Sequence, residues 1–392
     1  AHAWRDCNSA QKRMKILMLA QDPNICVVGS NVRKRMERYA ELFDELHIVV
    51  LAGNGSTSWQ NGKLFLYPVM AGNPLLQRWR MYDMARGLAA RVRFDMVSAQ
   101  APDEVGFIAY RIARRFGAKL QLQVHTDILS PWYRSASWKE YFRSLLARFL
   151  LPAADCVRAV SQRIKRSLMD GLHIPESRIF VLPIFTDREA FSAEGGQAPR
   201  PEDLARLQKY AFRMIAVGRF VDKEKNFSML IRMMAEFTRH VPAAMLILVG
   251  DGPDKKNFKF QISNFKLERN VIIEPWRNDL ASFYKCFDVA LVSSNYEGWG
   301  LVAIEAMAAG VPVVMTDVGL AGEVVRDGVN GRVVPVGDTD AFLDAVVDLY
   351  RHPEKRRAFA DAGRRAVAEV KPQSETEYLR LYRESFEMCG KL

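Results

Sequence analysis

No apolar run in the chain is long enough to cross a bilayer: stretches such as 241–249 fall far short of the roughly 18–20 residues a spanning helix needs. The first thirteen residues also lack the apolar core of a secretory signal, so residues 1–13 are expected to be a disordered leader or an expression remnant, with the fold starting at Met14. Cysteine is scarce. Its five copies, at 7, 26, 156, 286 and 389, include no CxxC pair, which excludes a zinc clip or redox couple of that kind and predicts scattered thiols in a reducing compartment. Zinc-finger, helix-turn-helix and RNP-type signatures are missing, so nucleic acid is not an expected partner. No DxD pair directly follows a strand run, so magnesium held between phosphates is not expected, and no metal ligand is assigned.

What is present is ordinary in amount and uneven in placement. The 392 residues argue for two domains or one large one, and at 49% hydrophobic and 26% charged they carry enough apolar surface for substantial cores. The net charge of +11 is one-sided: residues 1–190 hold 28 Lys and Arg against 17 Asp and Glu, whereas residues 191–392 hold 28 of each. Clusters at Arg33 to Arg38, Arg78 to Arg93, Arg111 to Arg115 and Arg163 to Arg166 fall on amphipathic segments. For any one cluster a solvated helix face is the plainer account. The asymmetry as a whole favours an anionic lipid surface or a phosphorylated acceptor.

Short β-branched runs alternate with helical segments, the pattern of parallel sheets covered on both faces. The first half predicts strands at 16–20, 47–51, 96–99, 120–124, 157–160 and 179–182, with helices over 32–46 and 104–116. Residues 185–203, rich in Gly, Pro and charge, lack periodicity and mark the boundary. The pattern then restarts with strands at 214–217, 245–249, 271–273, 289–292, 313–315 and 333–334. The expected organisation is an N-terminal unit at 14–190, a linker at 191–203, a C-terminal unit at 204–370, and a final helix over 371–392 that could pack back on the first unit. The fold class is α/β, two Rossmann-like doubly wound domains facing across a cleft, where open parallel sheets bind ligands.

Three segments carry chemistry. MIAVG runs into Arg219, and Lys225 follows just before a helix near Phe227, a plausible clamp for a pyrophosphate or an ordinary surface pairing. MLILVGDGP ends in a glycine turn at Gly250. In SSNYEGWGLVAIEAMAAGVPVV, Glu297 sits in a loop, and Gly298, Trp299 and Gly300 lead into a helix of good formers that places Glu305 eight residues on, in an apolar setting where a carboxylate needs partners. Trp79–Tyr82 and Pro131–Arg134 mix aromatic and basic residues, as acceptor loops or as ordinary packing.

These segments resemble the retaining glycosyltransferases of family 4, of the GT-B fold. VGRF with Lys225-Asn226, LVGDGP, the Ex7E signature in EGWGLVAIEAMAAGVPVV and the following TDVGLAGEVVRDGVNGRVVPVGD carry the likeness, and QVHTD at 123–127 looks like the family's strand-end His motif. The resemblance implies that Arg219 and Lys225 bind the donor diphosphate, Glu305 the ribose, and Glu297 with Gly298, Trp299, Gly300, Leu301 and Val302 the sugar and phosphates. Gly250 would approach the donor, His125 would lie near the reacting centre, and Gly29, in a partial glycine loop after the first strand, would face acceptor or phosphate. It further implies transfer without a metal from a nucleotide-diphosphate sugar, as co-substrate rather than cofactor, and the basic first half adds the expectation of a lipid-linked or polysaccharide acceptor at the cytoplasmic membrane face. An epimerase or phosphorylase on the same scaffold, and a non-catalytic binding relative, are the rival expectations.

Overall fold

The computed structural model describes residues 13–52, 57–70, 72–192 and 198–391. The leader expected over 1–13, apart from Arg13, and the middle of the expected linker lie outside these. The first lobe is built on β1 (Lys15–Ala20), β2 (Glu45–Leu51), β3 (Trp59–Asn61), β4 (Leu64–Val69), β5 (Met96–Ala99), β6 (Lys119–Val124), β7 (Cys156–Ala159) and β8 (Ile179–Val181), in the order β3-β4-β2-β1-β5-β6-β7-β8. Every pairing is parallel except the β3–β4 hairpin. The second lobe holds β9 (Phe212–Val217), β10 (Ala244–Val249), β11 (Val271–Glu274), β12 (Val289–Val292), β13 (Val313–Thr316) and β14 (Arg332–Val334), all parallel, in the order β11-β10-β9-β12-β13-β14. In each sheet the order reverses beside the first strand, between β1 and β5 and between β9 and β12. A crevice opens at such a point because the helices on either side depart to opposite faces.

Local chemistry accounts for most element ends. The Glu104–Phe116 helix starts where the Asp103 side chain accepts from Val105 N, buries Val105, Ile108, Ala109 and Ile112, and stops at Gly117 with φ +70°. Asp338, the first residue of a DxD triplet, caps the Thr339–Arg351 helix by accepting from Ala341 N. The helix expected over 32–46 ends instead at Ala40, because Leu46 to Leu51 pair with β1 and β4. The hairpin of β3 and β4 was not expected, although Asn61-Gly62 is a turn signal and Gly62 takes φ +55°. The boundary stretch contains two short helices, Arg188–Phe191 and Pro201–Leu207. Arg33 departs from the solvated-face account: it is buried, donates to Ile25 O and stacks 3.6 Å over the Trp59 ring. Arg91 and Arg93 lie past the end of the Pro74–Ala89 helix.

The closing helix, Glu375–Lys391, lies on β6 and β7 of the first lobe and completes that lobe's second core with Tyr378, Tyr382, Phe386 and Cys389. Here the cysteine expectation is corrected, since Cys389 is bonded to Cys156 of β7. Two residues 233 positions apart meet only because this helix returns across the sheet. Phe386 is fully buried, with its ring against Phe43 at 5.0 Å. Phe386→Ala is expected to lower unfolding stability by about 3–5 kcal/mol in urea titrations; a loss under about 1 kcal/mol would mean that the helix is not part of the cooperative first lobe.

Candidate active site

The carboxyl ends of β9 and β12 meet a cavity of about 610 Å³ whose walls come from both lobes: His125, Tyr133 and Arg143 on one side, Arg219, Lys225 and the 297–302 segment on the other. The geometry is set by the loop after β9. Asn226 adopts φ +50°, its side chain donates to Asn295 Oδ1 at 3.1 Å, and Ser293 Oγ donates to Lys225 O at 2.7 Å, so the β9 and β12 loops clasp each other. Lys225 is thereby half-buried, with Nζ 2.5 Å from Glu297 Oε1 and 3.2 Å from Glu224. Burial alone would drive the ammonium down, but Glu297 and Glu224 outweigh it and hold its pKa above the ordinary value. Ser294 Oγ adds a hydrogen bond of 2.8 Å to the same Glu297 oxygen. Arg219 is 65% exposed and reaches the cavity mouth, where it pairs with Glu224 at 2.9 Å.

The Leu301–Ala308 helix begins at Gly300, in a left-handed conformation with no side chain capping it. Its first residues, Leu301 and Val302, border the cavity, so the uncapped amide end suits an anion. Gly298 is required for another reason: a Cβ there would sit 1.8 Å from His125 O, so the two lobes touch at this residue. Trp299 is buried and also walls a separate cavity of about 630 Å³ on the hinge side. Glu305 lies one turn further in and is not among the residues bordering the first cavity. Burial raises its pKa to about 7, against the lowering effect of the neighbouring Tyr284 hydroxyl.

His125 borders the cavity with its ring nitrogen Nε2 3.2 Å from Arg158 and 3.3 Å from Gln123 Oε1. Burial, then Arg158 and Arg35, push its pKa down to about 3, so the imidazole is neutral. Gly250 and Gly29 do not border this cavity. A Cβ on Gly250 would meet Gly218 O at 2.0 Å, which makes it a packing glycine between β9 and β10. Gly29 turns the chain, at φ +80°, ahead of the Ser30 cap of the Asn31–Ala40 helix. Trp79–Tyr82 forms part of the Pro74–Ala89 helix and is not a loop, while Pro131–Ser135 is a short helix at the cavity mouth.

Sequence reasoning missed several neighbours. Tyr133 meets Tyr296 edge-on at 5.3 Å across the cleft, and Glu140 pairs with Lys223 at 3.1 Å. Outside the cavity lining, Trp276 is 54% exposed just past β11, at a strand end held by Arg277, which binds Asp203, Glu274 and Asp279.

Because the folded-state pKa of Glu305 is raised, its contribution favours the fold below the unfolded value of about 4.5 and is lost as pH rises through about 7. Glu305→Gln should therefore lose less Tm than wild type between about pH 5 and 8. Parallel Tm profiles for the two proteins would show that the carboxyl is not held protonated.

Comparison with known proteins covers both lobes. Residues 34–190 match the family model described as Glycosyltransferase Family 4, and residues 204–366 match that of Glycosyl transferases group 1. The chain is 26% identical over 376 residues to the N-acetyl-alpha-D-glucosaminyl L-malate synthase of Bacillus anthracis, spanning 91% of this chain and 94% of that one. It is 25% identical to the UDP-Gal:alpha-D-GlcNAc-diphosphoundecaprenol alpha-1,3-galactosyltransferase of Escherichia coli, over 73% and 74% of the two chains. The crystal structure of Anabaena Alr3699/HepE in complex with UDP superposes with a TM-score of 0.71 at 19% identity, covering 97% of this chain and 100% of that one. With both lobes matched in sequence and the paired parallel sheets in place, the chain belongs to the family 4 type of GT-B glycosyltransferases.

Proposed function

We propose that the protein is a retaining, metal-independent hexosyltransferase that moves a sugar from a nucleotide-diphosphate donor to a lipid-linked or polysaccharide acceptor at the cytoplasmic face of the membrane. The observation that carries this reading is the half-buried Lys225–Glu297 pair beside Arg219 and the uncapped Leu301 helix start, at the switch point of the second sheet. Three positive elements converge where a diphosphate would gather charge as it departs. In a same-face reaction the C1–O bond to phosphate breaks with its electron pair going to the phosphate. The acceptor oxygen bonds C1 on the same side, and its proton passes to a phosphate oxygen. Arg219, Lys225 and the helix amides stabilise the leaving group, and Glu297 orients the sugar. Glu305, one turn deeper and behind the cavity lining, is assigned to the ribose hydroxyls, which reach it as the nucleoside settles against the helix start.

The acceptor side lies against the cationic lobe. The Pro74–Ala89, Glu104–Phe116 and Trp138–Ala153 helices lie side by side there and expose Leu75, Trp79, Phe107, Trp138, Phe142 and Phe149. Arg78, Arg80, Arg114, Lys139 and Arg148 lie on the same helices. Aromatic side chains ringed by cations suit an anionic lipid surface, and the Escherichia coli relative is named for a diphosphoundecaprenol-linked sugar. No helix of the described residues is long and apolar enough to cross a membrane.

Arg219→Ala removes an exposed contact to the departing group and should lower kcat/KM by roughly 10²–10³-fold in a nucleotide-release screen over sugar donors and acceptors. Transfer to the acceptor is the expected product; an epimer or a sugar phosphate would favour the rival enzymes, and a near-normal rate in the variant would overturn the role. Co-sedimentation should show binding to anionic vesicles that falls by roughly tenfold or more in Trp138→Ser/Phe142→Ser. Indifference to anionic lipid at low salt would sink the membrane assignment.

A further inference from the structure

Arg158 points from β7 into the first lobe, is 3% exposed, and forms no ion pair with any carboxylate among the described residues. A guanidinium buried without a counter-ion is costly and needs other company. Its partners are neutral: NH2 lies 2.8 Å from Gln123 Oε1 and 3.2 Å from His125 Nε2, NH1 lies 3.3 Å from the Tyr378 hydroxyl, and the carbon centre sits 5.1 Å from the Tyr382 ring centroid. Nε has no partner. The two tyrosines belong to the closing helix, so that helix seals the cation away from water.

We propose that Arg158 is a positioning residue for glycosyl transfer: by donating to His125 Nε2 it fixes the ring as the Nδ1–H tautomer and presents a neutral donor to the cleft. The inference rests on the reading of this cleft as the transfer site. Arginine has no lone pair to offer and does not deprotonate in a protein, so wherever it meets a ring nitrogen, that nitrogen accepts. The imidazole proton is then on Nδ1. The Gln123 amide nitrogen donates to Ser98 Oγ at 3.1 Å, which leaves Oε1 facing Arg158; that oxygen also lies 3.3 Å from His125 Nε2 and can only accept, so with Arg158 donating to Nε2 at 3.2 Å the Gln123–His125 contact carries no hydrogen bond of its own, and an Nε2–H ring would instead donate to Gln123. The two hydrogens of one NH2 group thus serve Gln123 and His125. The Gln121 amide in turn donates to Ser385 O at 3.0 Å, fixing the same layer to the closing helix.

The charged groups facing His125 are Arg158 from β7 and Arg35 from the Asn31–Ala40 helix, both cations; the hydroxyls of Tyr39, Tyr378 and Tyr382 surround Arg158. Glu140, Glu224 and Glu297 share the cavity with His125, but each is committed to a cation of the second lobe, Lys223, Arg219 and Lys225, and among the described residues no carboxylate is hydrogen-bonded to the ring. A consequence follows for the chemistry: His125 offers the cleft a hydrogen-bond donor and no basic nitrogen, so it does not take the proton of the acceptor hydroxyl. That proton is left to the departing phosphate.

The test is ¹⁵N NMR of histidine-labelled full-length protein, with His125→Gln assigning the signal. Wild type should show Nδ1 protonated and Nε2 bare, unchanged from about pH 5 to 8. Arg158→Gln should move the proton to Nε2 or let the ring titrate nearer the usual value of about 6.5. Its kcat should fall by roughly tenfold or more, with a new acid limb in the pH profile and donor KM within about twofold. Arg158→Lys should restore the tautomer and most of kcat. An Nε2–H ring in wild type, or an Arg158→Gln protein with unchanged tautomer and pH profile, would overturn the proposal, since a residue that only supports the fold would lower Tm and move neither. If Arg158→Gln does not fold, the wild-type spectrum and Arg158→Lys decide. The spectrum needs no substrate, so failure to find any transfer would remove the functional reading and leave the tautomer result standing.

Discussion

The pairing of Lys225 with Glu297 is the contact on which the cleft depends. It joins the loops after β9 and β12, the two strands on either side of the order reversal, and it does so with both charges partly withdrawn from water. Such a pair holds only when its geometry is good and further hydrogen bonds satisfy it, which Ser294 and Glu224 provide. The arrangement keeps a half-buried cation charged at the wall of the cavity. An anionic ligand entering there would find a positive site already organised, with little reorganisation left to make.

Closure of the two lobes follows from contacts of a different kind. The bare backbone of Gly298 rests on His125 O, Tyr133 stacks edge-on against Tyr296, and Lys223 pairs with Glu140. Further along the cleft, Arg163 donates to Gly319 O and Ala321 O, and a Glu323 carboxylate accepts from Gln162 N at the start of the Gln162–Leu172 helix. Most of these are polar and lie near solvent, where single ion pairs contribute about 1 kcal/mol or less. A cleft held in this way can open and close at modest cost, as a site that admits one substrate and releases another requires.

The positive charge of the first half serves unlike purposes. Arg33 is consumed in the core beneath Trp59, Arg158 is sealed behind the closing helix, and Arg143 is tied to Glu104. Arg163 bridges the two lobes, Lys15 and Lys119 are paired at strand starts, and Arg78, Arg80, Arg114, Lys139 and Arg148 lie on the outer helices that carry exposed aromatic rings. A net charge therefore describes a lobe poorly until the buried cations are separated from the surface ones.

The sequence by itself determined the two parallel sheets, nearly every strand, and the segment from Glu297 to Glu305. Strand periodicity, glycine turns and helix starts are local properties, and Asp103, Gly117 and Gly300 act on neighbours a few residues away. Arg219 and Lys225 were readable for the same reason, since a strand end and a helix start fix where they lie. Tertiary structure alone decided the bond between Cys156 and Cys389, the withdrawal of Glu305 behind the cavity floor, the placement of Gly250 and Gly29 outside it, and the meeting of Arg158 with His125. Each of these depends on how separate strands and the closing helix are laid beside one another, and a periodic pattern records which face of an element is apolar without recording what will come to rest against it.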